Sequence, residues 1–437
     1  MSLAVQNRVD STDHRKGRVQ TRHLLVAAIP VWMLSGKLAQ AQQQDSLAGE
    51  AAAQALKRSI EAEPANLRLG PVQFQMGASL GASYTDNVFY SHNQKEDFLI
   101  NPEITLGALW PISELNTMRL SLGLGYEWYL KNHVLNGDAP LVNPGSELQF
   151  NLFVGDFRIR PHERFSYQES LFFNSLFGDN ARFYNLNDIG TFARLDNQVG
   201  VDVDWDLNKV VLSVGYNHED FDSYTAAFDY LSRASEWFTG NASFELGDKA
   251  HAGLESQASL HHYANQTVLN NNWRVRGGPY AEADLPAGNI NLRGGGGFDT
   301  AQFDSAAADN NNFQTYYAYA RVRQDLRLFS HSLKAGHENL LGENANNMRT
   351  SYVRYSIETP IVAHLDLEGN LSVNFAREFG GAFDEKFTYY GAGFRVGYPF
   401  HKHLTANLGY EFRLKESNLP LRDFDRNRVT VQVIYNF

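Results

Sequence analysis

The chain has 437 residues, of which 43% are hydrophobic, 13% aromatic and 20% charged, and its formal net charge at pH 7 is −11. The absence of cysteine excludes disulfides, cysteine-ligated zinc, iron–sulfur clusters and covalent haem attachment, and the acidic balance argues against nucleic-acid binding. The mean hydropathy is −0.39, and the sequence has no uninterrupted apolar stretch of the roughly 18 residues that a membrane-spanning helix needs.

The first 41 residues have the pattern of a secretory signal peptide. Residues 14–23 are basic, and Leu24–Leu34 form an apolar run that is too short to span a bilayer as a helix. Ala39-Gln40-Ala41 then gives the small-x-small pattern of a signal-peptidase site. We predict cleavage after Ala41, which removes six Lys/Arg and two Asp and changes the net charge from −11 to −15.

Residues 42–70 form a separate N-terminal segment. Its apolar residues recur at roughly helical spacing up to Pro64, at Leu47, Ala51, Ala55, Leu56 and Ile60. This spacing predicts a short amphipathic helix in the periplasm or the lumen of a barrel. A linker rich in Ala and Gln is the alternative.

From residue 71 to residue 437 the apolar residues recur with a period of two, which indicates β-strands. Val72–Thr85, Met118–Lys131 and Leu404–Lys415 alternate over 12–14 residues, whereas strands of soluble proteins average about five or six. A tilted strand that crosses a bilayer needs about 9–11 residues. Only one face of such a strand is apolar, so a transmembrane barrel is compatible with the low hydropathy.

The connections between these strands alternate in length. Eight are short, such as Gly155-Asp156 and Pro286–Asn289, and nine are longer and polar, such as 86–97 and 170–191. This alternation is typical of an outer-membrane barrel with periplasmic turns and extracellular loops. We predict an all-β, antiparallel, up-and-down transmembrane barrel of about 18 strands. Sixteen is the alternative, because the count depends on a split at Gly155-Asp156 and on weak strands near 250–263 and 331–341.

The last strand favours the same architecture. Val429, Val431, Val433, Tyr435 and Phe437 share one face, and the chain stops on the aromatic residue. This ending resembles the terminal strand of Gram-negative outer-membrane barrels, in which an aromatic C-terminus is part of the assembly signal. The resemblance implies that Tyr435 and Phe437 are read by the barrel assembly machinery. It also implies a place in the outer membrane of a Gram-negative bacterium, in contact with membrane lipid and lipopolysaccharide.

Two segments suggest a more specific relationship. Ala82–Ser91 contains the run Tyr84-Thr-Asp-Asn-Val-Phe89, and Leu152–Gln168 reads as a strand pair. Both resemble segments of porin-like outer-membrane β-barrel proteins associated with exopolysaccharide gene clusters, although Thr85 stands where an acidic residue often precedes Asp-Asn. The resemblance implies polysaccharide export or surface attachment, with polysaccharide as a candidate partner.

In a barrel every second residue of a strand faces the lumen, and one stretch of the predicted lumenal wall is rich in arginine and tyrosine. Arginine's planar fork binds carboxylate, sulfate or phosphate and stacks on aromatic rings. The candidate anion or glycan contacts are Arg158, Arg160, Arg274, Arg276, Arg321, Arg323, Arg354, Tyr280, Tyr317, Tyr319 and Tyr352, with His162 and Arg164 beside the first two. In the alternative interpretation the arginines pair with the lumenal carboxylates Glu282, Asp284, Asp325 and Glu358 and hold the wall rigid.

Three further patterns receive structural interpretations. Asp202, Asp204 and Asp206 share a strand face and are expected to balance the basic wall from the opposite side, with weak Ca²⁺ binding as the alternative. His261-His262 point to opposite faces and His401 and His403 lie at a turn, so we predict no metal site. Gly294–Gly297 lack the Lys and Ser/Thr of a phosphate loop and are expected to allow strand bending or close approach of a plug in the lumen.

We therefore predict no catalytic residues, no cofactor and no enzymatic activity. The main functional prediction is an outer-membrane pore for export or passage of polysaccharide. A general diffusion porin for small solutes and a non-conducting surface anchor for polysaccharide are the alternatives. In the strand predicted over Met118–Lys131, Leu122 is expected to face lipid, while Ser121 is expected to face the lumen.

Overall fold

The computed structural model describes Gln54, Leu56 and residues 65–169, 191–286, 288–304, 312–362, 365–380 and 384–437. Gln54 and Leu56 are helical, while the rest of the predicted helix, the signal peptide and nearly all of loop 170–191 lie outside the described residues. Within the described ranges, no helix is long and apolar enough to cross a membrane.

Eighteen long antiparallel strands form a closed barrel, as predicted. The strands are β1 (Val72–Thr85), β2 (Asp97–Pro111), β3 (Thr117–Gly125), β4 (Glu147–Val154), β5 (Phe157–Gln168), β6 (Arg194–Asp206), β7 (Val210–Ser223), β8 (Arg233–Gly247), β9 (Ala250–Tyr263), β10 (Asn272–Leu285), β11 (Ile290–Phe303), β12 (Phe313–Asp325), β13 (Ser330–Leu341), β14 (Asn347–Val362), β15 (Leu365–Phe379), β16 (Glu385–His401), β17 (Leu404–Ser417) and β18 (Phe424–Asn436). Short two- or three-residue strands at Leu67–Leu69, Trp128–Tyr129 and Leu141–Val142, and 3-10 helices at His133–Leu135 and Ala226–Leu231, complete the described elements.

Each strand pairs with its neighbour along the chain, and the first pairs with the last. The β1–β18 pairing runs from Gly77 opposite Asn436 to Thr85 opposite Arg428. This closure leaves no free sheet edge, which is the condition for a β-structure in lipid. The split at Gly155-Asp156, on which the count of 18 depended, is confirmed because β4 and β5 pair on either side of it.

The short turns and the long loops lie at opposite ends of the barrel, which we call the turn end and the loop end. The first residue of β1, Val72, and the last residue of β18, Asn436, both lie at the turn end. Several turns there use left-handed backbone, with φ of 58° at Gly155, 68° at Asn208 and 50° at Asn289. Such positive φ values match the twist of tight two-residue hairpins.

Two boundaries differ from the sequence-based expectation. The turn predicted at Leu328–His331 lies earlier, because the amide of Leu326 bonds to the carbonyl of Phe329 at 2.8 Å and closes the chain there. The predicted strand Met118–Lys131 is interrupted after Gly125 and resumes at Trp128–Tyr129, which pairs with β2 in the same register. The amide of Tyr126 bonds to the carbonyl of Pro102 at 3.1 Å within that register. Glu127 is buried within this irregular segment.

The two faces of the wall have the predicted polarity. On β18, Val429, Val431 and Val433 are 41–50% exposed, whereas the alternating Arg428 and Thr430 are 2% and 3% exposed. Other outward positions are likewise large and apolar, including Leu80, Ile104, Leu254, Leu371 and Phe375. The barrel is therefore apolar outside and polar inside, as a structure in lipid requires.

The Asp86-Asn87 segment fastens the first loop to the last strand. Asn87 is fully buried, and its side-chain amide donates to the carbonyls of Ser91 at 2.7 Å and Asp425 at 2.9 Å. Asp86 accepts hydrogen bonds from the backbone and side-chain amides of Asn427. This pair therefore stabilises the seam where the barrel closes.

Candidate functional site

A lumenal cavity of about 850 Å³ lies between the walls contributed by β5 to β14. Most of the residues that line it are polar, and they come from strands on different sides of the barrel. The charged and aromatic residues that line it include His162, Arg164, Glu219, Trp237, Glu255, Arg276, Arg293, Tyr317, Tyr319, Arg321, Lys334, Glu338 and Tyr352. This size lies in the range of sites for small molecules, about 300–1,000 Å³.

Loops narrow the lumen at the loop end. Tyr90, in the loop after β1, packs with Met348, Phe387 and Phe424, which belong to the inner face of the wall. In a second cluster, Phe221 and Tyr263 of the inner face pack with residues of three loops, Phe192, Leu231 and Leu269. Apolar contacts therefore hold several loops against the inside of the barrel.

Two of these loops also meet directly. The amide of Asn270, in the loop before β10, donates to the side chain of Asn346 at 2.7 Å. The side-chain amide of Asn346, in the loop before β14, donates to Asn270 at 2.9 Å. These reciprocal hydrogen bonds connect loops that belong to hairpins well separated along the wall.

Four cations stand side by side across neighbouring strands of the lumenal wall. Arg293 of β11 lies opposite Arg321 of β12, Arg321 lies opposite Lys334 of β13, and Lys334 lies opposite Arg354 of β14. We call these four residues the basic row. Directly paired positions of a sheet have Cβ atoms about 4.5–5.5 Å apart, where like charges are destabilising, so the row is an electrostatic cost to the fold.

Carboxylates compensate only one side of the basic row. Arg293 and Arg321 each lie 3.6 Å from Glu282, and Arg321 Nε is buried without a hydrogen-bond partner among the described residues. Lys334 and Arg354 instead lie 5.9 Å and 4.7 Å from the ring centre of Tyr352. In the described part of the chain, neither of these two cations forms an ion pair within 4.0 Å.

A row of tyrosines runs beside the basic row. Tyr280, Tyr319 and Tyr352 pair across the strands with glycines, in the order Gly253, Tyr280, Gly295, Tyr319, Gly336, Tyr352. A Cβ atom on Gly295 would lie 2.8 Å from the Tyr319 hydroxyl, and one on Gly336 would lie 2.7 Å from that of Tyr352. The glycines therefore let the rings lie against the wall, and tyrosine makes the close approach near Gly295.

Glu255 of β9 connects the tyrosines to the cations. Its carboxylate accepts hydrogen bonds from the hydroxyls of Tyr317 at 3.0 Å and Tyr319 at 2.8 Å, and Arg293 lies 3.8 Å away. The Arg293 guanidinium also lies 5.0 Å from the ring centre of Tyr280. This network fixes the side chains of the wall in place.

The other predicted arginines of β10 and β12 each contact a nearby side chain. Arg274 forms a two-pronged ion pair with the fully buried Asp299. Arg276 lies 5.4 Å from the ring centre of Tyr317, and Arg323 contacts Asp325 of its own strand at 3.1 Å. Of the proposed carboxylate partners, Glu282 and Asp325 therefore do pair with arginines, whereas Asp284 accepts from Asn291.

The prediction that Asp202, Asp204 and Asp206 act from the opposite wall is wrong. β6 is the immediate neighbour of β5, so Asp204 is directly opposite Arg158 and Asp202 opposite Arg160. Arg160 contacts Asp204 at 3.0 Å, and Arg158 donates to Asn151 at 2.9 Å. The adjacent strands neutralise each other, because ion pairs form most readily between nearest neighbours on one face.

The histidine pairs show no arrangement for metal. The two ring nitrogens of His261 lie 2.9 Å from the hydroxyls of Ser235 and Ser259, and the side chain is buried. His401 and His403 flank the turn between β16 and β17. Among the described residues, no group of three or more His, Asp or Glu side chains could hold a metal ion.

Sequence reasoning missed three residues of this site: Arg293, Lys334 and Glu255. Arg293 lies on the same face of β11 as Asn291, but the glycines at 294–297 that follow it obscure the alternating pattern. Lys334 lies on a strand whose pattern is weak, and Glu255 is a single carboxylate on another such strand. Their alignment depends on the register between strands, which a single strand does not reveal.

No protein-family model matches the sequence, and comparison with curated proteins finds no significant match. Among solved structures, the chain is similar to a BenF-like porin from Pseudomonas fluorescens Pf-5, with a TM-score of 0.50 and 9% identity over 83% of this chain and 99% of that one. It also matches Pseudomonas aeruginosa OpdK, solved with vanillate (TM-score 0.46, 12% identity, 83% and 99% coverage). A third match is Pseudomonas aeruginosa OccK2 (OpdF), solved in complex with glucuronate (0.48, 10%, 84% and 99%).

None of these comparisons links the chain to exopolysaccharide clusters. At identities this low the similarity concerns the fold, and the match to the BenF-like porin supports that fold. Together with the closed 18-stranded barrel and its apolar exterior, it establishes that this chain has the porin-like fold of an outer-membrane β-barrel.

Proposed function

We propose that this chain is an outer-membrane channel through which small hydrophilic solutes diffuse, with a preference for anions. The basic row is the observation on which this proposal rests. It places four cations on one lumenal wall, and the two at one end, Lys334 and Arg354, have no ion pair in the described part of the chain.

The preference for anions follows from local charge. Selectivity depends on the charges that line the permeation path, so the net negative charge of the whole chain does not decide it. Arg293, Arg321 and Lys334 all border the lumenal cavity. An anion there would exchange its water for guanidinium and ammonium donors, and charge-assisted hydrogen bonds are the stronger kind.

Small solutes suit this lumen better than a polymer. The loops that narrow the loop end are held against the inner wall by apolar contacts and by the Asn270–Asn346 hydrogen bonds, and the lumenal cavity of about 850 Å³ has room for a small molecule. The polysaccharide pathway expected from the sequence resemblance gains no such support, so the general diffusion porin is the better proposal. A passive channel also needs no catalytic group.

The proposal is tested by recording currents from the refolded protein in a planar bilayer with a salt gradient. The double variant Lys334→Gln/Arg354→Gln should shift the reversal potential toward cations, because it removes the two cations without carboxylate partners. Lys131→Gln is the matched control, since Lys131 pairs with Glu96 beside the outward-facing Phe98 and should leave selectivity unchanged. Absence of conductance in the wild type would refute the channel, and an unchanged reversal potential in the double variant would refute the anion preference.

The same recordings separate small solutes from polymers. A small carboxylate should lower the current in a concentration-dependent way that the double variant weakens. Block by a long neutral oligosaccharide at micromolar concentration, retained in the double variant, would instead favour the polysaccharide pathway.

A further inference from the structure

A second row of cations lies on the outside of the barrel, near the loop end. Arg349 of β14 is directly opposite Arg377 of β15, and Arg377 is directly opposite Lys386 of β16. We call these three residues the outer row. They border a groove of about 390 Å³, whose other lining residues include His337, Ser351, Phe375, Thr388 and Glu416.

The orientation of the outer row follows from the alternation of each strand. Arg349 alternates in step with Val353, Arg377 with Leu371 and Phe375, and Lys386 with Tyr390. These neighbours are exposed apolar side chains of the lipid-facing surface: Val353 is 43%, Leu371 57%, Phe375 56% and Tyr390 37% exposed. The outer row therefore lies on the outer surface of the barrel, between the apolar band that these neighbours form and the loop end.

The charge of the outer row is only partly compensated. Arg377 makes two hydrogen bonds to Asp384, and this contact lowers the pKa of that carboxyl, so one cation is neutralised. Glu416 borders the same groove. Arg349 packs on the Phe379 ring, 5.3 Å from its centre, and donates to Asn339. Neither Arg349 nor Lys386 forms an ion pair with a carboxylate in the described part of the chain.

Elsewhere on the outer surface near the loop end, polar side chains contact a carboxylate of the chain. Lys131 is paired with Glu96, and Tyr216 and His218 both contact Glu236, at 2.7 Å and 2.8 Å. Like charges at paired positions oppose folding, so an anion outside the chain would offset the charge of Arg349 and Lys386, the two cations of the outer row without a carboxylate partner.

We propose that the outer row binds the phosphate groups of a phosphorylated glycolipid of the outer leaflet. This inference rests on outer-membrane placement and not on channel activity. Arginine binds phosphate through two parallel donors, and the lysine adds a point charge at the end of the row. The acyl chains would contact Phe375, Leu371 and Val353, which lie on the same face farther from the loop end. The outer surface changes there from polar to apolar, so it matches both the headgroup and the tails of the lipid.

The test uses the full refolded barrel in neutral detergent and counts bound lipid by native mass spectrometry, with bis-phosphorylated lipid A as the probe. The wild type should retain lipid A, and Arg349→Gln/Arg377→Gln/Lys386→Gln should bind it on the order of 30- to 150-fold more weakly, from about fivefold per basic residue at an anionic lipid surface. Lys131→Gln should bind as the wild type does. Lys386→Gln alone, an exposed position, keeps the test available if the triple variant does not fold, and should weaken binding about fivefold.

Two further arms identify the source of the phosphate. Lipid A without its phosphates should bind no better to the wild type than to the triple variant. Inorganic phosphate should compete poorly, because it lacks the acyl chains. Three results would each overturn the proposal: equal binding of lipid A to wild type and variants, binding of the dephosphorylated lipid to the wild type as strong as that of lipid A, or full displacement of lipid A by low inorganic phosphate. Single-channel conductance should be the same in the wild type and the triple variant, so failure of this proposal is distinguishable from failure of the channel function.

Discussion

Replacing Leu371 by arginine should strongly destabilise the barrel. Leu371 is the midpoint of an outward apolar run on β15 that extends from Leu367 to Phe375, just below Arg377. Its side chain is 57% exposed, so the substitution removes little packing within the protein. The dominant effect is therefore the transfer of a charge to the lipid face.

The expected magnitude is about 2–4 kcal/mol for an arginine at the middle of the bilayer on the outside of a barrel. The adjacent Asn370 provides a matched control on the opposite face. It is half-buried in the lumen, where it lies opposite Ser356 and Gly393, so Asn370→Arg places the same charge in a polar environment. We expect this control to cost less than about 1 kcal/mol.

The two variants can be compared by urea titration of the barrel in lipid vesicles, followed by tryptophan fluorescence and by the mobility of unheated samples on a gel. The free energy of unfolding should fall by about 1–4 kcal/mol more in Leu371→Arg than in Asn370→Arg. Equal values would mean that the two faces of β15 are not lipid and lumen. The assignments of the basic row and the outer row, which use the same alternation, would then fail as well.

Three other predictions follow from the described contacts. Phe437→Asp should impair insertion into the outer membrane, measured by cell fractionation, because a terminal aromatic that is 55% exposed anchors at the interface; normal insertion would argue against an assembly signal. Gly295→Ala should lower the free energy of unfolding by about 1–3 kcal/mol, since its Cβ would meet a tyrosine hydroxyl at 2.8 Å, whereas Gly294→Ala meets nothing closer than 3.5 Å and should be neutral in the same urea titration. Burial, with a contribution from the Glu127 carboxylate, raises the pKa of Glu169 from 4.5 to about 7. Protonation of Glu169 therefore stabilises the loop contacts fully below pH 4.5. This contribution to stability is lost as the pH rises through about 7. Hydrogen exchange of residues 130–146, corrected for the intrinsic rate, should show that loss in the wild type and a flat profile in Glu169→Gln.

Much of this protein was determined by its sequence, because a strand in lipid obeys a local rule. Every second side chain must be apolar over the full thickness of the bilayer, and the ends must be turns or loops, so strand number, closure and the two faces follow from pattern alone. The run that ends at Phe437 has the predicted orientation for this reason. The lumenal position of Arg321 and Arg354 follows from the same alternation.

Which lumenal residues meet was decided only by the tertiary structure. Shifting one strand by two residues preserves its faces but changes every cross-strand partner, so the alternation could not place Lys334 between Arg321 and Arg354. It likewise could not place Asp204 next to Arg160 rather than across the lumen, or align Arg349, Arg377 and Lys386 on the outside. Alternation acts within a strand, whereas register is set by hydrogen bonding and packing between strands, and both rows of cations exist only through that register.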